Sequence, residues 1–191
     1  MKRILVAGLL GGIAVFVWGM VSHMVLGLGS TGVQRMPNEA PIVEAMRTNI
    51  TAPGLYFFPG IDMVSKKSKT EQAADEKAWG DAIRRGPSGI LVIDTRGKEP
   101  LMTRTFAIEL LTNIFGAAIA AMLLTLAATS LTTYWVRVLF VAALGLFASI
   151  AVDLSYWNWY GFPADYTVAA LVDQTLSWFV GGLVLARLIR P

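Results

Sequence analysis

Phe106–Ala128 reads FAIELLTNIFGAAIAAMLLTLAA. Wound as a helix, this stretch is about as long as the hydrocarbon core of a bilayer is thick. Glu109 and Asn113 stand one helical turn apart on one face, and Gly116 and Ala120 continue that face. A carboxylate and an amide inside an apolar span turn away from lipid and towards partner helices. The sequence therefore predicts that the other apolar segments pack around this face.

Composition supports lipid as the solvent. Of 191 residues 55% are hydrophobic and only 15% are charged, where soluble domains have about 25% charged. The net charge of +3 is too slight to argue for a nucleic-acid partner. The absence of cysteine excludes disulfides, thiolate metal sites and a cysteine nucleophile. His23 is the only histidine, which excludes a multi-histidine metal or diiron site.

The pattern predicts an all-α membrane protein with four transmembrane helices and a small α+β extramembrane insert between the first and second. Residues 1–28 form the first helix, 29–104 the extracytoplasmic insert, and 105–191 the remaining three. After the basic tip Met1–Arg3, Ile4–Leu28 carries no charged residue. It is longer than the apolar region of a signal peptide, contains Trp18 and His23, and is followed by no A-x-A-like site, so it reads as an uncleaved anchor. Gly8 and Gly12 are spaced for close helix approach, although glycine is also simply common in membrane helices.

The insert holds eleven of the sixteen basic residues and nine of the thirteen acidic ones. Asn38 is placed to cap a short helix over Glu39–Thr48, with Pro41 tolerated in its first turn. Leu55–Phe58, fenced by Pro and Gly, reads as a strand. Thr70 is placed to cap a helix from Glu71 to about Arg84, with acids early and arginines late. Gly86-Pro87 ends it, Gly89–Ile93 is a second strand, and Asp94–Gly97 is a turn. The two strands are expected to pair, and because a two-stranded sheet is marginal alone, the insert is expected to lean on another surface.

Glu99 and Pro100 open the second span. The third covers about Tyr134–Leu154 and the fourth Tyr166–Ile189. Between them lies SYWNWYGFPADY, an aromatic belt for the membrane–water interface. Lys2, Arg3, Arg137, Arg187 and Arg190 flank one side, whereas Ser155–Tyr166 has no Lys or Arg. The positive-inside rule then puts both termini in the cytoplasm and the insert outside.

Trp18-Gly-Met-Val-Ser-His-Met-Val-Leu26, Pro37-Asn-Glu39, Gly54-Leu-Tyr56 and Pro59 resemble a group of uncharacterised small bacterial four-span membrane proteins. The resemblance covers the first third of the chain. It implies a bacterial inner membrane and a four-span layout, and transfers no catalytic residue. His23 stands where many of those sequences have an aromatic residue.

In this orientation His23, Glu109, Asp153 and Asp173 all fall in the outer half of the membrane. Together they can bind a proton or a divalent cation. Each also has a structural reading: Asp153 in the headgroup region, Asp173 hydrogen-bonded within the bundle, Glu109 paired with Arg104 or Asn113, and His23 interfacial. His23 is also a candidate axial ligand for a haem or chlorin. The sequence has no GxSxG, HExxH or phosphate-cradling glycine loop, and Ser177 with Gly181-Gly182 reads as a small-residue packing face. The leading expectation is a non-catalytic accessory or scaffold subunit of a larger respiratory or photosynthetic-type membrane complex. Its partners would be the lipid bilayer and other membrane subunits, with bound lipid and no required cofactor. The alternative is a small cation- or proton-handling membrane protein that uses Glu109, Asp153 and Asp173.

Overall fold

A computed structural model describes residues 1–62, 65–97 and 103–191. It is 72% helical, with four helices long and apolar enough to cross a membrane and one small two-stranded sheet. The chain divides into two units, residues 1–34 with 101–191, and residues 35–100. Glu99 and Pro100, expected to open the second span, lie outside the described residues.

The first unit contains α1 (Lys2–Met20). The other three long helices are Thr103–Ala127, Tyr134–Tyr160 and Ala164–Leu188. In chain order they are α4, α5 and α6, because the insert supplies two shorter helices, α2 (Glu39–Asn49) and α3 (Lys69–Arg85). At a rise of 1.5 Å per residue, the 25 residues of α4 run to roughly 37 Å. Helix α1 packs between α4 and α6, and α6 packs in turn against α5.

Small residues set these contacts. A Cβ on Gly8 would lie 2.8 Å from the Ala118 Cβ, and one on Gly12 would lie 2.4 Å from the Ile114 backbone. Across the other side of α1, Gly181 meets Val15 and Gly11 meets Leu185. Gly182 lets α6 close on the Val138 carbonyl of α5. The expected glycine faces at Gly8/Gly12 and Ser177/Gly181 are thus the seams of the bundle, where the backbones approach closely. Ala7, Ala120, Ala121, Leu124, Val141, Leu185 and Ile189 form the buried core, which sits towards the end of the unit that carries both chain termini. The outward faces are apolar as well, with Leu126 76%, Phe147 72% and Phe115 69% exposed. Water would penalise such a surface and lipid would not.

One expectation about α4 is corrected. Its buried side is Ala117, Ala120, Ala121 and Leu124, while Glu109 is exposed and Asn113 only partly covered. The reason lies in α1. Its register on α4 holds through Gly12, but a side chain on Gly19 two turns on would meet nothing within 4 Å. The two helices part company there, so the face that Gly116 and Ala120 begin is uncovered at Glu109.

The third long helix runs through SYWNWY to Tyr160, six residues past the expected end at Leu154. Gly161, at φ 71°, then takes the left-handed conformation that ends it. Tyr156, Phe162 and Tyr166 stack in sequence across the turn, with ring centroids 5.3 and 5.4 Å apart. The fourth helix starts at Ala164, slightly before the expected Tyr166.

In the second unit, β1 (Gly54–Phe58) pairs antiparallel with β2 (Gly89–Ile93), from Gly54 opposite Ile93 to Phe58 opposite Gly89. The expected strands therefore pair, with α3 as the connection. Two cap assignments are corrected. Asn38 sits in the left-handed region and its side chain caps nothing, so α2 starts without side-chain help. Helix α3 is capped by Ser68 rather than Thr70, because Glu71 falls three residues after Ser68 and completes a reciprocal capping box. Lys67 binds Asp75 at 2.6 Å and Asp62 at 3.3 Å, and Trp79 donates to the Pro59 carbonyl. No described residue of this unit is buried.

Candidate functional site

The polar end of the first unit is built where α1 stops being an α-helix. Val21–Val25 forms a π-helical turn, followed by Gly27 in the left-handed region and a 3₁₀ turn over Leu28–Ser30. Such π segments re-aim side chains and cluster at functional sites. Here the turn buries Ser22 and leaves His23 half-exposed. His23 Nδ1 lies 3.1 Å from the Gly19 carbonyl and 3.2 Å from Ser22 Oγ. A carbonyl only accepts, so this contact places the Nδ1 proton on the Gly19 side and leaves Nε2 on the opposite edge of the ring. The Cδ2 edge of the imidazole points at Gly29, where a Cβ would fall 1.8 Å from Cδ2. Only glycine leaves room for the ring in that position.

Nε2 faces Asp173 Oδ2 of α6 at 3.9 Å. The Asp173 carboxylate is 15% exposed, and its Oδ1 accepts a 2.9 Å hydrogen bond from Trp18 Nε1 of α1. From α5, Ser149 donates to Asp153 Oδ2 one turn on, and Ser149 is 2% exposed. His23, Ser149, Asp153, Tyr166, Asp173 and Gln174 line one cavity of about 380 Å³, closed by the small side chains Ala148, Ala169 and Ala170. Among the described residues every buried side-chain nitrogen or oxygen has a hydrogen-bond partner.

Of the four ionisable residues singled out in the sequence, three converge on this cavity. Glu109 does not; it stands on the outer face of α4 and no hydrogen bond or ion pair to Arg104 or Asn113 forms among the described residues. The three carboxylates Glu109, Asp153 and Asp173 therefore do not share one site. Among the described residues no three His, Cys, Asp or Glu side chains are grouped to hold a metal ion. An axial ligand for haem or chlorin needs Nε2 of His23 open, and here the Asp173 carboxylate faces that nitrogen.

Two residues of the site were not singled out in the sequence. In the sequence Trp18 argues only for an uncleaved anchor, and its partner is 155 residues away. Ser149 stands four residues before Asp153, and that helical spacing is the signal that points to it.

At the other end of the bundle, Arg137 is buried at 5% exposure and forms no ion pair among the described residues. Its guanidinium donates to the Leu131 and Thr132 carbonyls at 3.0 Å and to the Ala186 carbonyl at 3.3 Å. Tyr134 adds a 2.9 Å bond to the Leu183 carbonyl. Leu131 and Thr132 belong to the connection between α4 and α5, and Leu183 and Ala186 to the last turns of α6, the negative end of that helix dipole. Arg137 thus pins that connection to the end of α6, beyond any part it has in setting orientation. No family model, curated protein or solved structure matches the chain, and the chemistry of the cavity rests on its own residues.

Proposed function

We propose that the chain is a multi-pass protein of the bacterial cytoplasmic membrane, with both termini inside, that handles a proton or a small monovalent cation in the cavity between α1, α5 and α6. The observation that carries this reading is Asp173, largely buried, oriented by Trp18 and faced by the imidazole of His23. A carboxylate in an apolar span is costly and is ordinarily retained for transport or proton transfer. The Trp18 hydrogen bond fixes Oδ1 and leaves Oδ2 towards His23 Nε2. Their 3.9 Å separation is one that a small rotation or a bridging water closes. Asp153, held by Ser149, lines the same cavity as a second acceptor. The absence of a three-ligand cluster among the described residues favours a proton or monocation over a divalent metal.

The test is flux across vesicles of purified protein carrying an interior pH dye. The wild type should dissipate an imposed gradient faster than empty vesicles, and Asp173→Asn should return the rate to that of empty vesicles. Equal rates for wild type and Asp173→Asn would overturn the reading.

A second reading, an accessory subunit of a larger membrane assembly, is favoured by the insert. Its sheet exposes the cross-strand pair Leu55 and Val92 at 68% and 77%, and none of its described residues is buried. A unit without a core is stabilised by a surface that covers it. A partner that co-purifies in mild detergent, and is lost on Leu55→Lys, would support it; an unaccompanied monodisperse chain would not.

A further inference from the structure

The charge of the first unit is sorted by end. Its four acids, Glu109, Asp153, Asp165 and Asp173, lie in the half where α1 finishes. The opposite end carries Lys2, Arg3, Arg137, Arg187 and Arg190, and no Asp or Glu. Arg137 is spent on backbone carbonyls. Among the described residues Lys2, Arg3, Arg187 and Arg190 form no ion pair, and Arg190 Nε donates only to the Arg187 carbonyl, leaving its terminal nitrogens free to donate.

These cations do more than count towards orientation. Two chain ends distant in sequence bring them to one place. Lys2, Arg3 and Arg190 line a cleft of about 320 Å³ floored by Ile4, Thr125 and Ile189. Arg190 also joins Arg137 and Arg187 around a neighbouring cleft of about 300 Å³. Lys2 and Arg3 further border a groove walled by Val6 and Leu188, which runs from the charged rim onto the apolar flank. A charge that only fixes topology needs no cleft. A cluster of three donors above an apolar groove matches a phosphodiester with an acyl chain attached.

We propose that this end of the bundle is a binding site for an anionic phospholipid. Its phosphate sits among Lys2, Arg3 and Arg190, and an acyl chain lies along Val6 and Leu188. The proposal requires only that the chain lives in a membrane, and is independent of any proton chemistry in the cavity at the other end.

The full chain, purified in mild detergent, is offered dioleoylphosphatidylglycerol or dioleoylphosphatidylcholine, and retained lipid is counted by native mass spectrometry. The wild type should retain phosphatidylglycerol in preference. Lys2→Gln with Arg190→Gln should lower that preference about thirtyfold, at the cost usual for two cations beside an anionic lipid surface. Arg104→Gln, at the opposite end, should leave it unchanged. Arg3→Gln with Arg187→Gln gives a second, independently folded version of the test. Equal retention of the two lipids by the wild type, an undiminished preference in both double variants, or displacement of the lipid by excess inorganic phosphate would overturn the proposal. A chain that stays soluble without detergent would instead sink the membrane reading itself, and that outcome is seen before any lipid is added.

Discussion

The indole of Trp18 donates to the carboxylate of Asp173 at 2.9 Å, and this one bond ties the π-turn end of α1 to the middle of α6. Glycines close the α1–α6 seam nearer the termini, at Gly11 and Gly181. Trp18–Asp173 is the polar clasp at the far end of the same seam. Trp18→Phe keeps the ring bulk and deletes the donor. Interhelical hydrogen bonds in membranes contribute about 0.6–2 kcal/mol, so a loss of about 1 kcal/mol is expected in denaturant titration of the detergent-solubilised chain. In a double-mutant cycle with Asp173→Leu, which removes the acceptor, the two losses should fail to add. Strict additivity would mean that the bond contributes nothing.

Two glycines of α1 should behave oppositely. A Cβ on Gly12 would lie 2.4 Å from the Ile114 Cα, a backbone atom that cannot swing aside. Gly12→Ala is therefore expected to force α1 and α4 apart and cost about 1–3 kcal/mol, the usual range for overpacking. A Cβ on Gly19 meets nothing within 4 Å, so Gly19→Ala should be neutral or slightly stabilising, since alanine favours helix over glycine by roughly 1 kcal/mol. Unfolding midpoints measured side by side decide it; equal behaviour would refute the seam.

Much of this architecture was legible in the sequence, and the exceptions share a cause. Four long apolar runs specify four helices because a membrane-length helix needs little else. The strands Gly54–Phe58 and Gly89–Ile93 were marked by β-branched and aromatic residues between Pro and Gly breakers. What could not be read was direction. Helix α4 is apolar nearly all round: Gly116 and Ala120 lie on its inner face as expected, with Ala117, Ala121 and Leu124 beside them, whereas Glu109 at the other end of that line is exposed. In lipid the inner face is the small one, not the hydrophobic one. Arg137 counted as a topology charge, and its burial follows from carbonyls of the α4–α5 connection and the end of α6, which meet only once the chain is folded. His23, Asp153 and Asp173 were read at a common depth, and the structure brings those three to one cavity.

Arg137 also has an expected stability effect. Removing its guanidinium leaves the Leu131, Thr132 and Ala186 carbonyls short of a donor. The Ala186 carbonyl is buried, and an unsatisfied buried acceptor costs about 1–3 kcal/mol, so Arg137→Met should destabilise by about that much. Arg137→Lys keeps the charge but lacks the planar fork that reaches both sets of carbonyls at once, and should fall between. Unfolding in detergent by near-ultraviolet circular dichroism reads both; a lysine variant as stable as wild type would show that charge alone suffices.

The cap of α3 makes that helix sensitive to acid. The Ser68 hydroxyl, and then its backbone N–H, hold the Glu71 carboxyl below its ordinary value of 4.5. A carboxylate whose value is lowered by folding contributes stability above its ordinary range and loses it as pH falls through the lowered value. The protection factors of the first-turn amides of α3, corrected for the intrinsic pH dependence of exchange, should thus be high near neutrality and fall as the pH drops through the lowered carboxyl value. Ser68→Ala should raise exchange at neutral pH, at a cost of about 1 kcal/mol for a lost cap, and flatten the acid dependence. An unchanged pH profile in Ser68→Ala would remove Glu71 as its cause.

Gly29 offers a way to move His23 without touching either acid. A Cβ there would sit 1.8 Å from Cδ2 and 2.8 Å from Nε2 of the imidazole, so the ring must turn out of the cavity. Its backbone is not in the left-handed region, and the obstructing atoms belong to a half-exposed side chain, so Gly29→Ala should fold normally. Because His23 is the only histidine, its ring signals in a nuclear magnetic resonance spectrum need no assignment. In the wild type those signals should shift when Asp173→Asn is introduced, since Nε2 and Oδ2 are 3.9 Å apart. In the Gly29→Ala background the same substitution should leave them where they were. Proton flux through vesicles should fall in Gly29→Ala if the imidazole passes the proton on, and stay at the wild-type rate if Asp173 works alone. An imidazole signal indifferent to Asp173 in both backgrounds would mean that the two groups do not communicate, and the cavity would lose its central pair.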